Sequence, residues 1–101
     1  MRLSAEQQQA IREVVLAVAG EGARILVFGS RLDDTRRGGD IDLLVEAQRP
    51  LGVLDKARLK LRLQGRLGLP VDVLVCTRGQ SLTPFQRIAR DSGVAIHGSS
   101  S

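Results

Sequence analysis

At 101 residues, 43% hydrophobic and 26% charged, the chain is sized for one globular domain with one core. The composition excludes collagen, low-complexity disorder and a disulfide scaffold, Cys76 being the only cysteine; no apolar run nears the ~20 residues of a membrane span, and MRLSAEQQQA lacks the apolar stretch of a secretory signal. Fifteen Lys and Arg against eleven Asp and Glu give a net charge of +4, and a reducing cytoplasm is the expected compartment.

Ser4 and Gln7 have the spacing of a capping box. Ile11, Val14, Val15 and Val18 then recur at i, i+3, i+4 and i+7, which predicts a helix over about residues 5–19, stopped by Gly20 and Gly22. ARILVFG, residues 23–29, is a short continuous apolar run ending in glycine and predicts a buried strand. The polar SRLDDTRRGG that follows is a loop with room for one helical turn. DIDLLVE, residues 40–46, predicts a second strand, and Pro50 ends that segment.

Residues 53–67 carry two signals. Leu59, Leu61 and Leu63 alternate as in a strand, but the length and the Lys, Arg, Gln and Leu content favour a helix. Such a helix is apolar on two sides, one with Val53, Leu54, Ala57 and Leu61, the other with Leu59, Leu63 and Leu67. Only one side can rest on a sheet in a two-layer domain. The stripe of Leu59, Leu63 and Leu67, with Lys56, Lys60, Arg62 and Arg66 around it, is expected to meet another chain, a second copy or a partner. The rival expectation is that these leucines belong to the core.

VDVLVC after Pro70 predicts a third strand. Thr83-Pro84 is an N-cap followed by proline at the first helical position. Phe85, Ile88 and Ala89 are the expected inner face of that helix, and Gly93 its stop. Val94 to Ile96 is the expected last short strand, and residues 98–101 a frayed tail.

Three aspartates stand where strands disfavour them. Asp40 and Asp42 flank Ile41, and Asp72 lies between Val71 and Val73. Side chains at i and i+2 share one face, roughly 6.5–7 Å apart along the strand. Clustered carboxylates at the edge of a core repel one another, a cost that a divalent ion offsets. Oxygen donors with no His or Cys nearby indicate Mg²⁺ or Mn²⁺. Gly29-Ser30 follows the first strand, and Asp40 begins the second. If both serve one site, these strands run antiparallel. Asp72 near the start of the third then makes that strand parallel to the second, with residues 53–67 as the crossover. Gly29 lets backbone N–H groups approach an anion, and Ser30 adds a hydroxyl. A phosphate chain is the natural anion beside a carboxylate-bound Mg²⁺.

VFGSRLDDTRRGGDIDLLV followed by VDVLV resembles the DNA polymerase beta-type nucleotidyltransferase superfamily, most nearly its minimal bacterial and archaeal branch, the MNT proteins. The resemblance spans roughly residues 5–97. Nine residues separate Ser30 from Asp40, one fewer than in many minimal members. It implies that Gly29 and Ser30 hold a nucleoside triphosphate, that Asp40 and Asp42 bind both metals, and that Asp72, also at the metals, helps activate the attacking hydroxyl. Arg31, with Arg36 and Arg37, is placed to touch phosphates or to stay in solvent. Family MNT proteins often pair with HEPN-domain ribonucleases as antitoxins, in some cases adding AMP to a tyrosine of the partner. This chain has no tyrosine, so it cannot modify itself in that way.

The resulting expectation is an α+β domain with a mixed sheet of three to four strands and helices mainly on one face. Its expected activity is Mg²⁺-dependent transfer of a nucleoside monophosphate, AMP from ATP, to a hydroxyl of a HEPN-type partner. The rivals are a module that neutralises its partner by contact, and transfer to a small molecule, for which no acceptor-binding domain is visible. The basic residues, thirteen arginines beside Lys56 and Lys60, are compatible with a nucleic-acid partner. Only Phe28 and Phe85 are aromatic, too few for a base-stacking platform. His97 is incidental, Cys76 a packing residue, and Asp33-Asp34 lacks the later spacing of a calcium loop.

Overall fold

The computed structural model describes residues 3–28 and 41–96, apart from the side chains of Phe85 and Ser92. Helix α1 runs Ala5–Ala19, strand β1 Arg24–Phe28, β2 Ile41–Ala47, α2 Val53–Leu67, β3 Val71–Thr77, α3 Pro84–Ser92 and β4 Val94–Ala95. The frayed tail, His97 and the loop with Asp33 and Asp34 lie outside the described residues.

Local chemistry sets the helix ends. The Ser4 side chain accepts from the Gln7 N–H at 3.0 Å, and Gln7 Oε1 accepts from the Ser4 N–H at 2.9 Å. Thr83 and Gln86 repeat the reciprocal pair at the start of α3, with Pro84 in the first turn. Each cap is worth about 1 kcal/mol. At the end of α2, Gly68 takes φ +68, a left-handed conformation that side chains with a Cβ resist.

Among the described residues, four strands stand in the order β3-β2-β1-β4. β1 is antiparallel to both β2 and β4, while β2 and β3 are parallel. The parallel pair needs a crossover, and α2 supplies it. This is the mixed sheet and strand polarity that the sequence implies.

Alternation along the strands separates two faces. Ile25, Val27, Ile41, Leu43, Val45, Ala47 and Val71 pack with Ile11, Val15, Leu59 and Leu63 of α1 and α2 in the main core. Leu26, Phe28, Leu44, Leu74 and Cys76 face the other way, where Ala89 of α3 and Leu82 cover them. Two helices therefore share one face and α3 takes the other. Arg66 of α2 meets Glu13 of α1 at 3.1 Å, an exposed pair worth little beyond orientation.

Two expectations about helix faces need correction. Leu59 and Leu63 are fully buried in the core, so the expected intermolecular stripe is the core stripe. Val53, Leu54 and Leu61 face solvent instead, at 82%, 73% and 68% exposure. The core side of α2 is the one that presses on β2 and β3, and a helix of 15 residues offers that layer one side only. The second correction is Ile88, which is 65% exposed while Ala89 is buried. A small residue lies against the sheet there, and the close approach turns its neighbour 100° away around the helix.

Candidate active site

Asp42 and Asp72 are each the second residue of their strand. They are register partners across the parallel β2–β3 pair, and Asp42 is also the register partner of Phe28 at the end of β1. Neighbouring strands lie about 4.8 Å apart, so the two carboxyl-bearing positions stand side by side on one face. It is the face of α3, but α3 covers only the farther part, over Leu44 and Cys76. Asp42 is half-buried and Asp72 exposed.

The surroundings hold this register. The Ile41 N–H donates to the Pro70 carbonyl at 3.1 Å, tying the start of β2 to the residue before β3. The Val71 N–H donates to Gln64 Oε1, also at 3.1 Å, tying the start of β3 to the last turn of α2. Both carboxylates thus sit one residue beyond a fixed backbone point. On the far side of the face, Gln86 Nε2 donates to the Val75 carbonyl at 3.2 Å and seats α3.

A cavity of about 540 Å³ opens at this end of the sheet. Asp42, Asp72, Phe28, Lys56, Ala57 and Lys60 line it. Lys60 Nζ lies 3.9 Å from Asp72 Oδ1, both side chains more than half exposed. The cavity therefore has a carboxylate floor from β2 and β3 and an ammonium wall from α2. The sequence patterns marked Lys56 and Lys60 only as a rim on an apolar helix face. Their signal was composition: they are the only lysines, and they stand at i and i+4 of one helix.

Of the expected site residues, the structure brings Asp42 and Asp72 together. Asp40, Gly29, Ser30 and Arg31 lie outside the described residues. Among the described residues there is no group of three or more His, Cys, Asp and Glu that could hold a metal ion. The donors present, two carboxylates in register on neighbouring strands, are of the hard oxygen type that suits Mg²⁺ or Mn²⁺. Cys76 shares their face but is buried beneath α3. Burial, with the Glu46 carboxylate, pushes its thiol above the ordinary 9.0, against a lesser opposing pull from Arg90. It stays protonated at neutral pH and offers no thiolate to a softer metal.

A family model for the nucleotidyltransferase domain matches residues 9–100. The chain belongs to that family. A solved structure of a candidate minimal nucleotidyltransferase is similar to it, with 32% identity and a TM-score of 0.62, over 91% of this chain and 95% of that one. Likeness of that extent places the chain with the minimal type, as the sequence resemblance implied. No protein of curated function matches it. No described helix is long and apolar enough to cross a membrane.

Proposed function

We propose that this nucleotidyltransferase moves a nucleoside monophosphate, AMP from ATP, onto a hydroxyl of a HEPN-type partner protein, in the cytoplasm and as an antitoxin. The observation that carries the reading is the register pairing of Asp42 with Asp72 on the floor of an open cavity, in a chain of this family. Residues 1–101 are read as one nucleotidyltransferase domain.

Asp42 and Asp72, with Asp40, are the residues to hold Mg²⁺ or Mn²⁺. The metal, when bound, neutralises charge on the phosphates and on the departing pyrophosphate. Gly29, Ser30 and Arg31 take the triphosphate. In the reaction the acceptor oxygen forms a bond to the α-phosphorus, the bond from that phosphorus to the bridging oxygen breaks, and pyrophosphate leaves. The hydroxyl proton passes to the Asp72 carboxylate, the more open of the two described. Held reactants and a preset charge environment do most of the work in such transfers.

Isothermal titration of the full chain with ATP, with and without Mg²⁺, tests the site. Metal-dependent binding is expected, lost in Asp42→Asn. Asp72→Asn is expected to keep most ATP binding and lose turnover, read as AMP added to the intact mass of the co-purified partner. ATP binding that ignores the metal, with the partner present, refutes the reading. A second reading, neutralisation by contact, is favoured by the exposed leucines of α2. It stands if Asp42→Asn still silences the partner at equal stoichiometry while leaving it unmodified.

A further inference from the structure

We infer that the outward face of α2 is a docking surface for an acidic amphipathic helix of a partner protein. Leu54, Ala57 and Leu61 stand at i, i+3 and i+7, a single stripe along the helix, and all three are exposed. Val53 widens the stripe at its start. Single exposed apolar residues are ordinary. Two leucines and an alanine in line on one 15-residue helix, with Val53 beside them and all turned away from a core that Leu59 and Leu63 already fill, form a patch.

Charge decides what covers it. Lys56 and Lys60 stand along the side of the stripe nearer the carboxylate cavity, and Arg58 and Arg62 along the other; all four are exposed. Half-buried Asp55 lies 4.0 Å from Arg58, and Asp72 lies 3.9 Å from Lys60; four cations against these two carboxylates leave the border of the stripe net basic. A second copy of this chain, facing it across a two-fold axis, would set like charges against one another. Nucleic-acid phosphates would engage the cations and leave the leucines uncovered. An acidic amphipathic helix satisfies both features. Its apolar residues at i, i+3 or i+4, and i+7 meet the stripe, and its flanking Asp and Glu meet the lysines and arginines.

The surface is continuous with the candidate active site. Lys56, Ala57 and Lys60 belong both to this face and to the wall of the cavity that holds Asp42 and Asp72. A helix docked along the stripe passes the mouth of that cavity and brings a neighbouring hydroxyl within reach of it. That last consequence rests on the nucleotidyl-transfer reading; the docking itself does not.

The test uses the full chain and two labelled synthetic helical peptides that share one leucine stripe, one flanked by Glu and the other by Lys. Fluorescence anisotropy is expected to show the Glu-flanked peptide binding at least about tenfold more tightly, and more weakly as salt rises. Leu54→Glu/Leu61→Glu should weaken that binding at least about tenfold, with an unchanged melting temperature and unchanged metal-dependent ATP binding. If that variant unfolds, Lys56→Glu/Lys60→Glu decides, since it should reverse the peptide preference. Equal binding of both peptides, no binding of either, or wild-type affinity in the variants overturns the inference. So does a wild-type dimer in sedimentation that Leu54→Glu/Leu61→Glu makes monomeric. Peptide binding without metal-dependent ATP binding sinks the nucleotidyl-transfer reading alone.

Discussion

Leu59→Ala and Leu61→Ala, two residues apart on α2, are expected to differ several-fold in cost. Leu59 is 0% exposed and packed in the main core, whereas Leu61 is 68% exposed. Truncating Leu59 removes three carbons from a dry site, about 2.4 kcal/mol of transfer free energy. The cavity left behind adds about 1–2 kcal/mol, for a total near 3–4 kcal/mol. At Leu61 most of that surface is already in water, and alanine is the better helix former, so the loss stays below about 1 kcal/mol. For a domain of this size each kcal/mol is about 4–8 °C in melting temperature. Leu59→Ala should therefore melt roughly 12–30 °C lower, and Leu61→Ala within a few degrees of the parent. Urea unfolding of both variants, with the m-value checked for constancy, gives the two free energies directly. Equal losses, or a larger loss at Leu61, would mean that α2 lies rolled about its axis with its other stripe on the sheet. The docking surface would then be withdrawn with it.

Gly93→Ala should destabilise by about 1–3 kcal/mol, because a Cβ there would come within 2.7 Å of the Ala89 carbonyl oxygen and 3.0 Å of Leu26 Cβ; an unchanged melting temperature would contradict this close approach of α3 and β4 to β1. Cys76 should make stability fall at alkaline pH. Its folded thiol titrates above the unfolded one, so its contribution is full below about pH 9 and is lost as the pH rises through the raised value. Chemical denaturation across that range should show a steeper decline in the parent than in Cys76→Ala. Matching slopes would refute the burial argument.

Two residues of the candidate site, Asp42 and Asp72, were legible in the sequence as a pair. They stood out because carboxylates among Ile, Leu and Val need a reason. Their strand positions implied the parallel pairing, and the observed register partners them. Lys56 and Lys60 were misread because they come to the cavity from a different element, around the β3 edge of the sheet, where Lys60 meets Asp72. No spacing along the chain encodes a distance between a helix side chain and a strand about a dozen residues further on.

The elements themselves are local properties, and the sequence alone determined them. Capping boxes at Ser4 and Thr83, and the two-residue and 3.6-residue periods, act within a few residues of one another. The length between the second and third strands required a crossover, and strand polarity followed. Which stripe of α2 is core was different. Leu59 with Leu63, and Leu54 with Leu61, are equal in hydrophobicity, so no local term separates them. The choice belongs to the whole fold: the connections that bring α2 back over β2 and β3, and the layer it shares with α1, set its rotation about its own axis. Those contacts sent Leu59 and Leu63 inward and left Leu54 and Leu61 in water.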